Sequence, residues 1–334
     1  MHVWEIPAFG IDSLRFVERR TPDPGPGEVL VKIRAISFNH RDLLMVKGLY
    51  NPRLRLPRIP CSDGAGTVEA VGEGVPQWRP GDRVAGIFMQ NWLDGPPTAA
   101  KTKGALGGDV DGMLAEYVVL HADGLVAVPE HLSFEEAATL PCAAVTAWNA
   151  LAAGELKPES TVLIQGTGGV SIFALQFARQ MRMRVLGISG SEQKLAQAMA
   201  LGLDAGLNYR DHPEWDRWVK EQTGGGGVDL VVEVGGIGTL PRSLRAIRVG
   251  GVIAQIGVLS GPSEPLPLST ILHKMICIQG IYVGSRRDFE EMNRFIAAAR
   301  LRPVLSCFKW SQAQEVLTLM EEASHFGKLV VSVK

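Results

Sequence analysis

Short apolar, β-branched runs alternate with helical segments between residues 161 and 256, and no other feature of this 334-residue chain restricts its fold so strongly. The strand-like runs are Thr161–Ile164, Arg184–Ile188, Val228–Val232 and Val252–Ile256. Runs this short and apolar are typical of strands buried on both faces, as in parallel sheets covered by helices. The chain is therefore predicted to be an α/β protein with a doubly wound parallel sheet, whose ligand binds at the carboxyl ends of the strands.

A glycine-rich turn follows the first of these strands. The segment Gln165–Ser171 reads QGTGGVS and leads directly from the strand into a helix. Gly166 permits the tight turn, Gly168 lets the backbone approach a pyrophosphate, and the helix N-terminus offers unpaired N–H groups to it. Ser171 replaces the third glycine of the pattern, but the required strand–turn–helix context is present. The dinucleotide-binding residues predicted in this turn are Gly166, Thr167, Gly168, Gly169 and Val170.

The end of the second strand indicates which dinucleotide is bound. An NAD site places an acidic residue there, which bonds the ribose 2′-hydroxyl. Here Ser189–Lys194 reads SGSEQK, so hydroxyls, open backbone N–H groups and a lysine take its place, although Glu192 could still serve the ribose. The first set suits a 2′-phosphate, which an acid would repel. NADPH is thus predicted over NADH. The cofactor-binding residues predicted at the end of this strand are Ser189, Gly190, Ser191 and Lys194.

A later strand is predicted to contribute to the nicotinamide end of the site. Gly257 and Val258, which follow that strand, are predicted to flank the nicotinamide.

The first third of the chain is β-rich. Val29–Ile36 and Thr67–Val71 have the composition of strands and are bordered by turns. The run Lys328–Val333 near the end is predicted to be a strand that returns to the same domain. Asn91–Gly108 has no periodicity, and a loop of that length within a compact domain usually serves as a lid or a substrate wall.

Composition and charge exclude several classes of function. Lys and Arg total 34 against 35 for Asp and Glu, which gives a net charge of −1. The chain therefore lacks the excess of positive charge that attracts nucleic acid or an anionic membrane. The four cysteines are too widely spaced for a metal knuckle, a redox motif or a disulfide framework, which predicts reduced thiols in a cytoplasmic protein. The N-terminus has neither the basic nor the apolar region of an export signal.

One apolar segment, Ala137–Ala153, approaches the length of a membrane span. It consists mostly of alanine and contains Pro141, so it is predicted to be a buried helix instead. Ser133 and Glu136, three residues apart, form the pattern of a capping box where this helical region starts.

Ordered motifs over nearly the whole chain carry a family resemblance. They are Gly64–Val68, Gly72–Val75, Pro80–Val84, Asp111–Tyr117, Leu140–Ala147, Asn208–Arg210 and Gly327–Val330. With the glycine turn, they make the chain resemble the medium-chain dehydrogenase/reductase superfamily, and most closely its quinone oxidoreductase and zinc-independent alcohol dehydrogenase-like branch. The resemblance implies a Rossmann domain, predicted at 123–289, and a β-rich GroES-like catalytic domain, predicted at 1–122 and 290–334.

The resemblance also locates where zinc members of the superfamily hold their catalytic metal. Those proteins use a Cys, a His and a second Cys, and the matching positions here are Asn39, Ser62 and Cys142. Asn and Ser are poor zinc ligands, and the four-cysteine loop of a structural zinc is missing. A metal-free site is predicted. The alternative is an improvised site in which His40 and Asp63 join Cys142.

The remaining site residues are implied by the resemblance. Asn39 matches an asparagine beside the nicotinamide, and Tyr50 matches a tyrosine near the substrate in quinone oxidoreductase-like relatives. Ser62 or Asp63 could relay a proton. Asn39 could instead be a turn residue before a helix, and Tyr50 a loop-packing aromatic. The further cofactor-binding residues implied are Thr146, Tyr209, Arg286 and Lys328.

The apolar run Met275–Val283 is predicted to form the edge strand of the parallel sheet. An exposed apolar edge is an aggregation hazard unless it is covered, and relatives cover it with a second subunit. A homodimer is therefore expected.

Three functions remain open at this point. The first is a zinc-independent, NADPH-dependent oxidoreductase that transfers hydride to a small quinone, enone or similar activated carbonyl. The second is an alcohol dehydrogenase, with or without an improvised metal. The third is a non-catalytic NADPH-binding sensor or structural protein.

Overall fold

Residues 1–259 and 266–333 are described by a computed structural model of the chain. The contacts divide the chain into a first unit, Met1–Val145 with Val283–Lys334, and a second unit, Thr146–Tyr282. No helix among the described residues is long and apolar enough to cross a membrane.

The strands and helices follow one another along the chain with short connections. The strands are β1 (His2–Glu5), β2 (Arg15–Glu18), β3 (Glu28–Phe38), β4 (Asp63–Val71), β5 (Arg83–Gly86), β6 (Tyr117–His121), β7 (Leu125–Ala127), β8 (Thr161–Gln165), β9 (Arg184–Ser189), β10 (Ala205–Asn208), β11 (Val228–Glu233), β12 (Ile247–Gln255), β13 (Cys277–Gly280), β14 (Leu305–Lys309) and β15 (Lys328–Ser332). The α-helices are α1 (His40–Val46), α2 (Phe134–Ala138), α3 (Val145–Ala152), α4 (Gly169–Gln180), α5 (Glu192–Ala200), α6 (Trp215–Gln222), α7 (Leu240–Ala246), α8 (Leu268–Lys274), α9 (Arg286–Ala299) and α10 (Ala313–Glu321). Single 3₁₀ turns lie at Ile11–Ser13, Ala122–Gly124 and Trp310–Gln312, and a π-helical turn at Leu140–Ala144.

The first unit is built on a seven-stranded sheet in the order β14-β15-β3-β4-β5-β7, with β6 also paired to β3. The last strand, β15, pairs antiparallel with β3, so the predicted return of the chain to the first domain is confirmed. β3 and β4 approach so closely that a Cβ atom on Gly66 would lie 2.0 Å from the carbonyl oxygen of Lys32. This contact explains why the motif at the start of β4 needs a glycine.

The second unit contains the parallel sheet predicted from the sequence. Its order is β10-β9-β8-β11-β12-β13, and every neighbouring pair is parallel. Numbered within the unit, this is the order 3-2-1-4-5-6 of a dinucleotide-binding Rossmann fold. The crossover from β8 to β11 makes β8 the switch point, and the glycine turn follows β8 directly. The ligand is therefore expected at the carboxyl end of this strand.

The boundaries of the two units differ from the predicted domain boundaries. Residues 123–145 and 283–289 lie in the first unit, although the sequence placed them in the Rossmann domain. β7 pairs with β5, and the α2 side chain of Glu135 accepts a hydrogen bond from Ser332 at 2.8 Å. These long-range bonds to the first sheet, which no local pattern reveals, hold the segment in the first unit.

The predicted helix over 137–153 is broken in the structure. It is divided into α2, the π-helical turn Leu140–Ala144, and α3. Pro141 has no N–H group, and the N–H of Cys142 donates to the Asp63 carboxylate at 3.1 Å. The capping box at the start of α2 is confirmed, because Ser133 and Glu136 exchange backbone-to-side-chain hydrogen bonds of 2.8 and 3.2 Å.

Candidate active site

Asn39 is the N-cap residue of α1, with extended backbone angles. Its backbone N–H donates to the Asp42 carboxylate at 2.8 Å, while its side chain makes no capping bond. Asp42 is fully buried and also lies 3.1 Å from Arg41. Asn39 does precede a helix, and its catalytic role stays a prediction. The carboxylate of Asp42 takes over the cap, so the Asn39 amide is available for other contacts.

A chain of hydrogen bonds runs through this amide. The Lys328 amino group donates to the Asn39 Oδ1 atom, and Asn39 Nδ2 lies 3.4 Å from Ser62 Oγ. Ser62 Oγ in turn donates to Asp63 Oδ1 at 2.7 Å. The other carboxylate oxygen of Asp63 accepts the N–H of Cys142. Three of the four predicted catalytic residues, Asn39, Ser62 and Asp63, are therefore brought together, as neighbours in one buried network.

Burial decides the electrostatics of this network. Ser62 and Asp63 are fully inaccessible, Lys328 is 3% exposed and Asn39 is 8% exposed. Desolvation raises the pKa of Asp63 to about 6, against the opposing effect of Lys328, and the Asp42 carboxylate raises it further. The Asp63 carboxyl therefore gains or loses a proton close to neutral pH, which an exposed aspartate does not do.

The donor set does not fit a zinc ion. Asn39 and Ser62 offer neutral oxygen atoms, and desolvation together with the Asp63 carboxylate raises the pKa of the Cys142 thiol, which disfavours the thiolate that zinc requires. His40, the proposed improvised ligand, is exposed while Asp63 is fully buried. Within residues 1–259 and 266–333, no group of three or more His, Cys, Asp or Glu side chains is placed to hold a metal.

Tyr50, the fourth predicted catalytic residue, lies in the turn after α1 and is 43% exposed. Its ring lies 5.6 Å from the guanidinium carbon of Arg41, which also lies over Phe88 at 4.9 Å. Tyr50 is thus held at the surface of the first unit by a cation–π contact. Its catalytic role stays a prediction.

In the second unit, the glycine turn has the shape that a pyrophosphate needs. Gly166 has a positive φ of 69°, and its N–H bonds the carbonyl of Ile188 at the end of β9 at 2.7 Å. Gly168 is the N-cap of α4, and a Cβ atom placed there would meet no atom within 4 Å. Ser171 donates to the carbonyl of Gln165 at 2.6 Å, so it ties the helix to the strand where the usual pattern has a glycine. The structure leaves open space in front of the amino end of α4.

Two polar side chains, those of Tyr209 and Arg210, lie close to Gly190, the residue that follows β9. A Cβ atom on Gly190 would lie 2.8 Å from Arg210 Nε and 2.8 Å from the Tyr209 hydroxyl. Ser191 caps α5, and its hydroxyl accepts the N–H of Lys194. Desolvation, followed by the charge of Arg210, lowers the pKa of Lys194. Arg210 therefore lies beside Gly190, and its charge also acts on Lys194, so this strand end is a suitable environment for an anion.

The other residues predicted to bind cofactor are divided between the two units. Thr146, Gly257 and Val258 lie in the second unit, where Thr146 is buried and Val258 is 80% exposed. Arg286 and Lys328 lie in the first unit. Arg286 bonds Glu290 at 2.8 Å and Lys328 bonds the Phe38 carbonyl at 2.6 Å. Their cofactor roles stay predictions.

Two residues were missed by the sequence reading. Arg210 was noted only as part of a motif, and its position beside Gly190 required the tertiary structure. Glu233, at the carboxyl end of β11, is fully buried and accepts bonds from Gln165 at 2.7 Å and from the backbone of Gly235 and Gly236 at 3.0 and 2.9 Å. An acidic residue directly after an apolar strand was the available signal, because such a residue is rarely buried without several donors.

Family models and relatives agree with this architecture. The chain contains a Rossmann sheet with an open glycine turn and a separate unit with a buried polar network, a combination typical of nicotinamide-dependent oxidoreductases. Residues 25–130 match the alcohol dehydrogenase GroES-like domain, and residues 169–298 match the zinc-binding dehydrogenase domain. The chain belongs to the medium-chain dehydrogenase/reductase superfamily and is an NAD(P)-dependent oxidoreductase of that type.

Individual relatives cover the chain almost completely. A zinc-type alcohol dehydrogenase-like protein of Schizosaccharomyces pombe is 43% identical over 333 residues, 97% of this chain and 96% of the relative. The crystal structure of an NAD-dependent alcohol dehydrogenase superposes with a TM-score of 0.91 at 34% identity over 100% of both chains. That of Escherichia coli quinone oxidoreductase complexed with NADPH does so with a TM-score of 0.85 at 25% identity, again over 100% of both chains.

Proposed function

We propose that this protein is a zinc-independent, NADPH-dependent reductase of quinones, enones or similar activated carbonyls. The observation that carries the proposal is the Asn39–Ser62–Asp63 network, which offers hydrogen-bond donors and a titratable carboxyl where zinc enzymes of the superfamily place metal ligands. A carbonyl without a metal must be polarised by such donors.

The second unit supplies the residues that would hold the cofactor. The open turn at Gly166 and Gly168 suits the pyrophosphate, and Arg210 beside Gly190, together with Lys194 in the first turn of α5, suits a 2′-phosphate. When bound, NADPH supplies the hydride. The absence of an acid at this strand end supports NADPH over NADH, because a carboxylate would repel the extra phosphate.

The first unit supplies the groups that polarise the substrate. Asn39, the most exposed member of the network, donates through its amide to the substrate oxygen, where negative charge develops during reduction. Asp63 is ionised above a pH of about 6 and accepts the proton of the Ser62 hydroxyl, whose lone pair in turn accepts an Nδ2 proton of Asn39. The reduced product gains one hydride and takes one proton from solvent.

A chelator-treated panel tests this proposal. Protein dialysed against 1,10-phenanthroline is mixed with NADPH and 9,10-phenanthrenequinone, methyl vinyl ketone, benzaldehyde or cyclohexanone, and the loss of absorbance at 340 nm is followed. We expect turnover that survives the treatment, and a loss of about 10²-fold in Asn39→Ala from removal of one oxyanion donor. Asn293→Ala, which removes a half-buried asparagine of α9 whose amide bonds the Ala127 carbonyl, is the matched control. Activity lost on chelation and restored by zinc would overturn the metal-free proposal.

Alcohol oxidation is the second candidate, because several relatives are named alcohol dehydrogenase. Alcohol oxidation is the reverse of carbonyl reduction and would use the same residues. Reduction of NADP⁺ by a panel of primary and secondary alcohols therefore distinguishes alcohol oxidation from carbonyl reduction. Tight NADPH binding with no turnover in either direction would instead favour the non-catalytic sensor or structural role.

A homodimer is the assembly we propose, formed through the edge of the Rossmann sheet. β13 is exposed along its length, and the neighbouring side chains of Leu268, Leu272 and Met275 are 70%, 73% and 71% exposed. An open strand edge beside apolar side chains is a surface that natural proteins cover, and a second copy of the same edge is self-complementary. Light scattering in solution measures the mass directly.

A cytoplasmic location is also part of the proposal. None of the four cysteines forms a disulfide within the described residues. Reduced thiols and NADPH both belong to a reducing compartment. A fluorescent fusion expressed in cells locates the protein.

A further inference from the structure

Lys328 lies at the centre of the first unit although its side chain is charged. It is the first residue of β15, and the pairing of Leu329 with Phe38 places it beside the end of β3. The preceding Gly327 has a positive φ of 68°, and a Cβ there would lie 2.4 Å from the Val304 carbonyl oxygen. The backbone at this point is therefore closely constrained, and the lysine side chain is directed into the core.

The bonds of Lys328 determine which way the Asn39 amide faces. The Lys328 amino group donates to the Phe38 carbonyl at 2.6 Å and to Asn39 Oδ1. An ammonium group has three donors and no acceptor, so only the oxygen of the amide can face it. The Nδ2 group is then directed away from Lys328, towards Ser62.

The other end of the network agrees with this direction. Asp63 is an acceptor when ionised, so Ser62 donates its single hydroxyl proton to it and presents a lone pair to Asn39 Nδ2. A pure donor at one end and an acceptor at the other permit one arrangement of the bonds between them. The Ser62 bond engages one of the two Nδ2 protons, and the Asp63 carboxylate also interacts with this amide, so a substrate oxygen would take the second proton in competition with Asp63.

We propose that Lys328 is a positioning residue, whose ammonium group fixes and polarises the Asn39 amide so that Nδ2 donates to the substrate oxygen. This inference rests on the proposed function, because it concerns a carbonyl that gains negative charge. The positive charge that zinc provides in metal-dependent relatives is provided here by a lysine acting through an amide. The cofactor-binding role predicted for Lys328 from the sequence stays a separate prediction, and the experiments below distinguish the two roles.

The negative charges around Asn39 are consistent with a buried lysine at position 328. The carboxylates of Asp42 and Asp63 are both fully buried near Asn39. Lys328 lowers the pKa of Asp63 against the effect of desolvation, which shows that its charge acts within the network. A buried amide next to such a charge is a stronger donor, since hydrogen bonds in a chain polarise one another.

Variants at position 328 test the proposal with NADPH and 9,10-phenanthrenequinone. Lys328→Met keeps the length of the side chain and removes its charge. We expect kcat to fall about 10- to 100-fold, less than or similar to the loss of a direct oxyanion donor, with the Kd for NADPH within about twofold of the wild type. An unchanged kcat would overturn the inference. A large rise in the Kd with kcat intact at saturation would do so as well, and would assign Lys328 to the cofactor.

Chemical rescue separates charge from packing. Lys328→Ala removes a volume that propylamine fills, so we expect propylammonium to restore part of kcat and 1-propanol, of the same shape without the charge, to restore none. Rescue by both compounds would show that Lys328 only fills space and would contradict the proposal. Lys328→Arg, which keeps the charge, serves as the conservative variant if the alanine variant folds poorly.

A measurement without turnover distinguishes failure of this inference from failure of the proposed function. Protein labelled with ¹⁵N-asparagine reports the Asn39 side-chain amide, assigned by its loss in Asn39→Ala. We expect the two protons of this amide to be shifted and to exchange faster with solvent in Lys328→Met than in the wild type. An identical resonance in both proteins would refute the positioning role even if no substrate were reduced.

Discussion

Arg210 Nε lies 2.8 Å from the point that a Cβ atom would occupy on Gly190. The two residues are distant in sequence but meet at the carboxyl end of β9, where the choice between the two nicotinamide nucleotides is made. Any side chain at position 190 would displace the guanidinium group. The glycine therefore makes room for a cation at the place where an NAD site has an acid.

Removing this cation should lower the preference for NADPH. In Arg210→Gln we expect kcat/KM for NADPH to fall about 10- to 100-fold, as for the loss of one charge-assisted phosphate contact of roughly 1.5 to 3 kcal/mol, while NADH is little affected. Steady-state kinetics with both nucleotides measure the ratio. Arg217→Gln, at an arginine on α6 whose side chain is 74% exposed, is the control. An equal loss with both nucleotides would contradict a role in phosphate recognition.

A methyl group at Gly168 should interfere with the cofactor and not with the fold. Its φ of −77° is ordinary for any residue, and no atom lies within 4 Å of a Cβ placed there. We therefore expect Gly168→Ala to keep the wild-type Tm and to bind NADPH at least about tenfold more weakly, because the added carbon occupies the approach of the pyrophosphate. Gly226→Ala, in the loop between α6 and β11, is the matched control. Unchanged binding would place the pyrophosphate elsewhere.

The raised pKa of Asp63 predicts a particular dependence of stability on pH. The carboxyl has a pKa of about 6 in the folded protein, above its ordinary value of 3.8. The folded state thus binds more protons than the unfolded state between these values. The contribution of Asp63 to the free energy of unfolding is therefore most favourable below a pH of about 4 and is lost as the pH rises through about 6. The full loss is at most about 3 kcal/mol.

Comparison with Asp63→Asn isolates this contribution. The free energy of unfolding of both proteins is measured in urea at several pH values from 4 to 7.5. We expect the stability of the wild type relative to the variant to decline over this interval and then level off. A difference that stays constant, or that grows with pH, would contradict a folded-state pKa of about 6 for Asp63.

A charge in the edge strand should dissociate the proposed dimer. Ile278 lies in β13 and is 36% exposed. Ile278→Lys would place two lysines near the shared edge, which disfavours strand pairing, so we expect light scattering to report a single chain where the wild type gives two. Leu49→Lys, at an exposed leucine of the first unit, should leave the mass unchanged. A wild type that is monomeric at micromolar concentration would refute the assembly.

Much of the Rossmann unit follows from local patterns. The runs from Thr161 to Ile256 predicted parallel strands, and the structure confirms them in the order of a dinucleotide-binding sheet. In the first unit, likewise, Ser133 and Glu136 predicted a capping box that is present. These features depend on spacing within a few residues, and such signals are readable without a fold.

The limits of the segments were less predictable. The helix expected over 137–153 is interrupted because the N–H of Cys142 bonds Asp63, a residue 79 positions earlier. The observed boundary between the units also differs from the predicted one because of a long-range contact. β7 pairs with β5 and so belongs to the first unit instead of the Rossmann unit. Apolar content alone does not reveal which backbone groups leave a helix for a distant carboxylate.

By itself the sequence determined the class of fold, the glycine turn and the family, because periodicity, glycine placement and motif order are local properties. The tertiary structure decided that Lys328 reaches Asn39 across 289 positions, that Asp63 is buried, and that Arg210 lies over Gly190. Burial raises the pKa of the Asp63 carboxyl, and contact with Lys328 determines which way the Asn39 amide faces. Both depend on which distant segments are packed together, and the sheet pairing of β15 with β3 is what brings them into contact.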